Sequence, residues 1–595
     1  MRTLLRLLGF AQKYWRMLLL AFICLVATTA FSLAIPRMLG EGIDAVLSQG
    51  ERSFLILAAA VVIGASALRG ASAYGHTYLS QIVSQKTSYD IRNAIYDRLQ
   101  RLSFAYHDQA QTGQLMSRAT VDVEAIRMFF GNGMLGIINL VIMVGAVACI
   151  LLLMDWKLAL LVLAFLAPIG WRAVVIRGHL EPMWLKIQEL LASLGTILEE
   201  SLTGVSVVKA FSRQKEESRK FSSGATTLYN EQIGVAREMA FNVPLMVFLM
   251  TLPTALIIWY GGHQVMNGNL TIGSVTQFIL YVGMLVMPVR RLGMLTNLLS
   301  RTVSAGGRIL EILDTESAVQ EKPDAIELGR LKGRVSFEDV SFSYNSMAPA
   351  LENISFSVQP GQLVALLGGS GSGKSTIASL LSRFYDVTNG RITVDDTDIR
   401  DVTLASLRKN VVTAQQDIFL FSATIRDNIA YGAVDAEMEQ VETVAKAAYL
   451  HDFVQSLPDG YDTWVGERGL TLSGGEKQRL AIARTLLINP SVLILDDSTS
   501  SVDAETETLI RRAMDKLIQG RTTFIITHRL PIIKNADLIL MLKDGQILER
   551  GKHDELMALN GLYHQIYEAQ LAANQGSEED VSGASAEPPA DKREE

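Results

Sequence analysis

Cysteine is the rarest residue type in this chain. Only Cys24 and Cys149 occur among 595 residues, and both lie in apolar segments. Two cysteines in such surroundings argue against a disulfide framework or a cysteine-ligated metal cluster. They predict packing roles and a soluble part that resides in a reducing compartment.

The chain also lacks an excess of positive charge. Its 61 acidic residues outnumber 54 lysines and arginines, which gives a net charge of -7. Proteins that bind nucleic acid usually carry a basic patch, so this composition predicts no nucleic-acid partner. Part of the acidic excess lies in the tail 573–595, where the abundance of serine, alanine and proline predicts disorder. The tail is either a solvated end or a regulatory segment.

Charge is unevenly distributed along the chain. The mean hydropathy is +0.24, yet 19% of the residues are charged, so an apolar part is joined to an ordinary soluble part. The length also exceeds that of one ordinary domain. The first half is the apolar one.

Six segments of the first half predict membrane spans. A bilayer core about 30 Å thick requires about 20 apolar helical residues, and buried helices of a soluble protein rarely provide six segments of nearly this length with almost no charge. No small-residue cleavage site follows the first segment, which predicts a retained anchor. The segments are Trp15 to Pro36, Phe54 to Tyr74, Met134 to Met154, Leu158 to Ile176, Phe241 to Gly261 and Ile272 to Met287.

The connections between these segments indicate the topology. Short turns alternate with two long connections that are rich in lysine and arginine. The positive-inside tendency places both long connections and the amino terminus in the cytoplasm. Apolar residues at helical spacing, such as Ile91, Ile95 and Leu99, predict that the membrane helices extend into the cytosol.

Arg69 is the most conspicuous charge within the predicted spans, about 15 residues into the second. A charge at this depth either faces a cavity or a partner, or reaches the headgroups from the inner end of its helix. The last two spans carry soft and aromatic side chains that suit either a permissive apolar cavity or simple packing. These are Met246, Met250, Phe278, Tyr281, Met284 and Met287.

The second half has the pattern of an α/β domain. Hydropathy falls after about Arg308, and residues 315–332 are typical of a linker. From Gly333 onward, short β-rich runs alternate with helical stretches, as in parallel sheets covered by helices. The runs are Val335 to Phe337, Leu363 to Leu367, Val411 to Thr413, Val492 to Leu495 and Thr523 to Ile526.

A glycine-rich loop follows the run that ends at Leu367. It matches the G-x-x-x-x-G-K-S pattern, whose backbone amides cradle phosphates at a helix amino terminus. The pattern predicts that Lys374 reaches the β and γ phosphates and that Ser375 binds magnesium. The loop and the helix start comprise Gly368, Gly369, Ser370, Gly371, Ser372, Gly373, Lys374, Ser375 and Thr376.

An acidic pair follows another apolar run. Asp496 suits the magnesium-holding carboxylate of P-loop ATPases, and Asp497 stands where a water-activating carboxylate is expected. About 20 residues before this run lie Ser473, Gly474, Gly475 and Glu476. Ser-Gly-Gly alone could be only a turn, but its placement between the two phosphate-site elements makes it a more specific signal.

The order and spacing of these elements resemble the nucleotide-binding domains of ABC transporters over Val335 to Leu556. The resemblance implies that Tyr344 stacks on adenine, that Gln416 contacts magnesium and that His528 contacts the γ phosphate. It further implies that Ser473 to Glu476 form the signature and that Asp503 belongs to the D-loop.

The membrane half is similar to that of ABC exporters. Phe104 to Asp108 resemble the start of the first coupling segment, and Val207 to Phe211 resemble the segment that follows the second. The resemblance implies an exporter-type half-transporter that binds ATP and Mg2+ and works as a dimer, because each ATP lies between the phosphate loop of one chain and the signature of the other.

Two positions depart from the family pattern. Asp497 stands where active members carry glutamate, as in the impaired subunit of heterodimeric multidrug or lipid exporters. Glu476 stands where the signature usually ends in glutamine, and a carboxylate near phosphates is unfavourable unless it faces solvent or a cation.

The fold expected is an all-α six-span domain at 1–314, a linker at 315–332, an ABC-type P-loop ATPase domain at 333–572 and the tail 573–595. The function expected is ATP-driven export or flipping of a hydrophobic or amphipathic drug or lipid across the cytoplasmic membrane, by a heterodimer whose partner carries glutamate at the position of Asp497. Both termini and the ATPase domain are expected in the cytoplasm, and membrane lipids surround the spans. The alternative is a regulatory ATP-binding subunit whose partner performs hydrolysis and transport.

Overall fold

The structure is a computed structural model that describes residues 2–49, 52–344, 349–414, 418–466, 469, 472–496, 504–527, 529–569 and 571. The chain forms two compact units. The first comprises Met1–Gln100 and Gln111–Thr315, and the second comprises Arg101–Ala110 and Glu316–Glu595.

The first unit is built from helices. Among the described residues, six helical stretches are long and apolar enough to cross a membrane, which confirms the six predicted spans. Up to residue 315 the α-helices are α1 (Arg2–Gln12), α2 (Trp15–Gln49), α3 (Arg52–Arg101), α4 (Phe104–Gln109), α5 (Thr112–Ser117), α6 (Val123–Met128), α7 (Met134–Met154), α8 (Trp156–Ala164), α9 (Leu166–Thr203), α10 (Val205–Ala210), α11 (Gln214–Leu256), α12 (Gly262–Met266) and α13 (Ile272–Asp314). Single π-helical turns occupy Arg118–Asp122, Phe129–Gly133 and Ile257–Gly261.

The helices continue well past the apolar segments that predicted them. Helix α3 contains 50 residues, which corresponds to about 75 Å at 1.5 Å per residue. Helices α11 and α13 contain 43 residues each. Hydropathy marks only the part of a helix that suits lipid, so it could not indicate where the helices end.

Two apolar clusters hold the first unit together. One joins α1, α3, α6 and α13, and the other joins α7, α8 and α13. Next to residues of the first cluster, Asp122 in a π-helical turn accepts two hydrogen bonds from the Arg308 guanidinium, at 2.5 and 2.8 Å. The sequence predicted no structural role for the Arg308 side chain. This pair fixes the register of α13 against the turn that follows α5.

The second unit contains two sheets, as predicted for an α/β domain. A four-stranded antiparallel sheet has the order β2-β1-β4-β5, and a six-stranded sheet has the order β10-β9-β3-β8-β7-β6. The strands are β1 (Val335–Ser343), β2 (Pro349–Val358), β3 (Leu363–Leu367), β4 (Asn389–Val394), β5 (Thr397–Asp398), β6 (Val411–Ala414), β7 (Val492–Asp496), β8 (Thr522–Ile526), β9 (Leu538–Lys543) and β10 (Gln546–Gly551). The helices are α14 (Lys374–Leu381), α15 (Leu404–Asn410), α16 (Ile425–Ile429), α17 (Met438–Ala447), α18 (His451–Ser456), α19 (Gly474–Ile488), α20 (Ala504–Ile518), α21 (Leu530–Lys534) and α22 (His553–Ala558).

The six-stranded sheet positions the functional loops. Strands β9, β3, β8, β7 and β6 are parallel, and their apolar runs are buried on both faces, as is usual for parallel strands. The carboxyl ends of β3, β8, β7 and β6 therefore share one edge of the sheet. Ligands of such sheets bind outside that edge.

The segment that follows α13 makes specific contacts within the second unit. Ile326 pairs with Val402 in an isolated parallel bridge. The guanidinium of Arg383, which is only 2% exposed, donates to the Gln320 carbonyl oxygen at 2.9 Å. These contacts hold residues of the 315–332 segment against the nucleotide-binding fold.

Candidate nucleotide-binding site

The glycine-rich loop joins the buried strand β3 to helix α14. Gly368, Gly371 and Gly373 have φ angles of +148°, +78° and +105°. A Cβ on Gly368 would lie 2.2 Å from the Leu542 carbonyl oxygen, and one on Gly373 would lie 2.6 Å from Leu351 Cδ2. Both conformation and space therefore require glycine at these two positions.

Lys374 is the first residue of α14, and its side chain turns back over the loop. Its Nζ donates to the carbonyl oxygens of Gly368 at 2.8 Å and Gly369 at 2.7 Å. Burial lowers the pKa of the Lys374 ammonium, and the Asp496 carboxylate opposes that shift. The Lys374 ammonium thus lies at the loop and donates to carbonyl oxygens. Phosphate oxygens are hydrogen-bond acceptors of the same kind.

Ser375 and Asp496 line one cavity of about 340 Å³, together with Tyr344 and Thr413. Asp496 ends β7, two strands away from β3 in the sheet, so the fold brings two distant sequence elements together. A hydroxyl and a carboxylate are oxygen ligands of the type that Mg2+ prefers. The side chains present fit a magnesium-bound phosphate.

Tyr344 is anchored to the helix that carries the loop. Its hydroxyl donates to Thr376 Oγ1 at 3.3 Å, and its ring packs edge-on against Tyr385 at a centroid distance of 5.2 Å. The ring is half-buried at the wall of the cavity. This placement is compatible with the predicted adenine contact.

Helix α4, at the predicted first coupling segment, reaches the same cavity. The Phe104 ring stacks on Phe384 with centroids 4.3 Å apart, and the Tyr385 hydroxyl donates to the Asp108 carboxylate. Phe104 and Asp108 also line the cavity. Burial, and then the hydrogen bond to Asp108, raise the pKa of Tyr385.

Phe384 and Tyr385 were missed by the sequence analysis. Their only signal in the sequence is an aromatic pair shortly after the end of α14 at Leu381, which resembles any packing pair. The structure gives the pair a position between α4 and the Tyr344 ring. A displacement of α4 would therefore be transmitted to the wall of the nucleotide cavity.

The signature segment forms the start of α19. Ser473 is the N-cap, and its Oγ accepts from the Glu476 N–H at 3.4 Å, while Glu476 Oε2 accepts from the Ser473 N–H at 2.7 Å. This is a capping box, which glutamate and glutamine make equally well. The carboxylate is thus held by its own helix start, which explains why glutamate is compatible with this position.

The described residues that line the cavity of Ser375 and Asp496 include none from Ser473 to Glu476.

Four predicted site residues lie outside the described residues: Gln416, Asp497, Asp503 and His528. In the sequence, Gln416 follows β6, Asp497 follows β7 and His528 follows β8. These three strands end at the same edge of the sheet as β3. The roles of these four residues stay predictions.

Family comparisons agree with this architecture. The ABC transporter transmembrane region matches residues 18–289, and the ABC transporter domain matches residues 351–500. The chain is 37% identical over 571 residues to the uncharacterized ABC transporter ATP-binding protein YknU of Bacillus subtilis (strain 168), covering 96% of this chain and 98% of that protein. This chain belongs to the ABC transporters.

Two further similarities refine the family assignment. This ABC transporter is 33% identical over 574 residues to the ATP-dependent lipid A-core flippase of Syntrophus aciditrophicus (strain SB), with 96% of this chain and 95% of that protein covered. It is also similar to the structure of a bacterial Atm1-family ABC exporter with ATP bound, at 31% identity and a TM-score of 0.77, covering 93% of this chain and 98% of the other. It is a multi-pass membrane exporter that couples ATP hydrolysis to transport.

Proposed function

We propose that this transporter exports or flips a hydrophobic or amphipathic drug or lipid across the cytoplasmic membrane, as one subunit of a heterodimer. The observation that supports a dimer is that the signature at the start of α19 lies outside the cavity of Ser375 and Asp496, and Asp497 supports a heterodimer. ATP bound at the loop requires a second chain to supply the facing signature.

The nucleotide is held mainly by the phosphate loop. Residues Gly368 to Gly373 offer backbone amides to the phosphates, Lys374 offers its charge, and Thr376 anchors the Tyr344 ring beside the adenine. Ser375, Asp496 and Gln416 would hold Mg2+, which would neutralise charge on the phosphates. His528 contacts the γ phosphate, and Asp503 lies at the interface with the second chain. Ser473, Gly474, Gly475 and Glu476 act on the partner's ATP.

The chain's own ATP site is slow because of Asp497. Aspartate is one methylene shorter than glutamate, which withdraws the carboxylate from the attacking water by about 1 Å and can reduce the rate roughly 10²-fold. Nucleotide binding survives, since Lys374, Ser375 and Asp496 do not depend on that carboxylate. The other composite site, made by this chain's signature and the partner's loop, performs most of the turnover.

Exposed apolar side chains in the second cytoplasmic connection support assembly with another chain. None of the residues of α10 is buried, and Val207 and Phe211 are 58% and 74% exposed. Side chains of this type on a cytosolic surface favour a protein partner. We assign them to the interface with the second half-transporter.

The regulatory alternative rests on Asp497 alone. In that case the chain binds ATP while its partner performs hydrolysis and transport, and Asp497→Glu changes nothing in substrate translocation. The complete phosphate loop and the fit of Ser375 and Asp496 favour a site that turns over slowly.

The test is ATPase activity of the chain alone and of the complex recovered with it from native membranes. We expect a second ABC half-transporter that carries glutamate at the position of Asp497. Ser473→Ala should reduce total turnover more than Asp497→Ala, and Asp497→Glu should accelerate the slow site. A fully active homodimer, or normal turnover in Ser473→Ala, would refute the heterodimer proposal.

The proposed orientation places the amino terminus, the ATPase domain and the tail in the cytoplasm, with the spans in the inner membrane. The proposed domain limits are 1–314 for the membrane domain, 315–332 for the linker and 333–572 for the ATPase domain, followed by the tail 573–595. Accessibility of engineered cysteines at the two termini to a membrane-impermeant maleimide tests the orientation. Labelling of either terminus in intact cells would contradict it.

A further inference from the structure

The chain passes between its two units at three places: after Gln100, after Ala110 and after Thr315. The first place falls at the end of α3, the second lies just before α5, and the third follows α13. Helix α4, which contributes to the wall of the nucleotide cavity, lies between the first two. These three crossings are the covalent routes by which a movement of the nucleotide-binding unit reaches the membrane helices of the same chain.

The last turn of α13, next to the third crossing, is acidic. Glu311 and Asp314 occupy this turn, which contains no basic residue. A helix carries a partial negative charge at its carboxyl end, so acidic side chains there are unfavourable unless cations from elsewhere offset them. The end of α13 therefore needs positive charge from other elements of the fold.

Two arginines next to the other crossings supply this charge. Arg98 of α3, just before the first crossing, donates to the Thr315 carbonyl oxygen at 2.5 Å. Arg118, in the π-helical turn after the second crossing, places Nη1 3.2 Å from Oε2 of Glu311. Side-chain contacts within the membrane unit thus join all three crossings to one another.

Helix α1 adds a third arginine and an apolar support. Arg6 donates to both carboxylate oxygens of Asp314, at 2.5 and 2.6 Å. Beside this pair, Leu7 and Ile309 are fully buried in the apolar cluster of α1, α3, α6 and α13. A Cβ on Gly306 would lie 2.5 Å from Leu7 Cδ1, so glycine lets α1 approach α13 closely. The three arginines and their partners form the α13 clamp.

The polar contacts of the α13 clamp contribute more to position than to stability. The side chains of Arg6 and Asp314 are 48% and 52% exposed, and Glu311 is also exposed. Exposed ion pairs add little to folding stability, and the apolar cluster already packs α13 against its neighbours. Contacts that add little stability but join every crossing between the units fit a role in transmitting movement.

We propose that Arg98 and Arg118 are positioning residues for coupled transport, which hold the end of α13 to both ends of the first cytoplasmic connection. Helix α13 then moves with α4 when the nucleotide cavity changes shape. Arg6 supports the same helix end from α1. Without these contacts a loose helix end absorbs the displacement, and ATP hydrolysis proceeds without transport. The inference goes beyond the proposed function, since it depends neither on the substrate class nor on the identity of the partner.

The first measurement tests the α13 clamp directly. The full-length chain, without its two native cysteines and with the subunit that co-purifies with it, carries nitroxide labels at Gln100 and Gly307 in lipid nanodiscs. Both positions are exposed, and a side chain at Gly307 meets open space. Distances between the labels are measured by double electron–electron resonance, without nucleotide and with ATP and vanadate. We expect one narrow distance in both states, and a broadened or second distance in Arg98→Ala/Arg118→Ala.

The second measurement tests coupling in sealed vesicles. ATP hydrolysis is followed together with ATP-dependent movement of two probes, ethidium and nitrobenzoxadiazole-labelled phosphatidylethanolamine. Arg98→Ala/Arg118→Ala should move about fivefold less probe per ATP, at the lower end of the usual coupling free energies. Its ATPase activity without probe and its midpoint of thermal unfolding should stay close to the native values, which a purely structural role would not allow.

Conservative variants and a matched control complete the series. Arg98→Lys and Arg118→Lys should restore part of the probe movement per ATP, because an ammonium also donates to these oxygens. Arg177→Ala should behave as the native protein. It removes an exposed ion pair with Glu181 in the same unit, away from the three crossings.

Label distances in the double variant as narrow as in the native protein, or unchanged probe movement per ATP, overturn the inference. A native distance that changes with ATP does so too, because the crossings would then not move as one body. Parallel loss of ATPase activity, probe movement and thermal stability overturns the positioning role in favour of a structural one. If the native complex moves neither probe, the proposed export of drugs or lipids fails, and the label distances still decide the α13 clamp.

Discussion

The two cytoplasmic connections of this transporter provide similar short helices with different surroundings. Helix α4 of the first connection belongs to the nucleotide-binding unit, where Phe104 stacks on Phe384 and Asp108 accepts from Tyr385. Helix α10 of the second belongs to the membrane unit and packs on α9 and α11. Its neighbour Phe211 is 74% exposed. The first connection thus has its contacts within the chain, and the second leaves apolar side chains exposed.

This difference assigns separate roles to the two connections. The contacts of α4 place the first connection at the wall of the nucleotide cavity. In the proposed assembly, the exposed apolar side chains Val207 and Phe211 contact the second chain. In the proposed dimer, ATP would close the sandwich between the two chains by a population shift.

The largest expected effect comes from the second connection. Val207→Asp/Phe211→Asp should reduce substrate-stimulated ATPase activity about 10²-fold, because losing the burial of two such side chains costs roughly 3 kcal/mol or more. ATP binding should persist, since the phosphate loop is untouched. Ser206→Asp, a charged substitution at an exposed polar site of the same helix, is the control. Normal substrate-stimulated ATPase activity in the double variant would show that α10 forms no interface with a second chain.

A smaller effect is expected in the first connection. Asp108→Ala should reduce substrate stimulation about fivefold, since a hydrogen bond to a charged group contributes up to roughly 3 kcal/mol and solvent weakens this one. Tyr385→Phe should have the same effect, and the double variant should be no worse than either single one. Gln109→Ala, on the same helix, should be neutral. Additive losses would mean that Asp108 and Tyr385 act separately.

The Asp108–Tyr385 contact also has a defined pH dependence. Because the pKa of Tyr385 is raised above its ordinary value near 10, the hydroxyl stays protonated and donates throughout neutral pH. Its contribution is therefore complete below pH 10 and is lost as the pH rises through the raised pKa. Substrate stimulation of the native protein relative to Tyr385→Phe should stay constant from pH 7 to 9. A ratio that changes within that range would contradict the assignment.

Removing an aromatic ring tests the stacking part of the same contact. Phe104→Ala should lower the substrate-stimulated ATPase activity about threefold, because an aromatic pair contributes about 0.5–1.5 kcal/mol beyond its burial. Phe104→Leu retains apolar area and should lie between the native protein and the alanine variant. Equal activity of the leucine and alanine variants would show that burial contributes little to this contact.

The smallest effect is expected at the signature. Glu476→Gln keeps the capping box of α19 and should change total ATPase activity less than about twofold. Glu476→Ala removes the capping oxygen and should destabilise the helix start by about 1 kcal/mol, measured as a lower midpoint of thermal unfolding of the purified complex. A large gain of activity in Glu476→Gln would mean that the carboxylate acts on the phosphates.

The sequence by itself determined those features that are carried by contiguous residues. Six apolar segments predicted six spans because lipid selects for an uninterrupted apolar run. The strand before Gly368 and the loop up to Thr376 were evident because a phosphate loop is one continuous piece of backbone. Short β-rich runs that alternate with helical stretches likewise predicted the parallel sheet. The family pattern placed the signature between the two phosphate-site elements.

Only the tertiary structure decided which distant residues meet. The approach of Asp108 to Tyr385 and the pairing of Asp122 with Arg308 depend on the rotation and register of packed helices, to which local periodicity is blind. That Arg69 and Arg291 line one cavity of the membrane unit depends on how α3 and α13 face each other across it. Hydropathy could identify Arg69 as unusual, but its role is set by the neighbouring helices, because the energy of a charge in a membrane is determined by the partners and water that its surroundings provide.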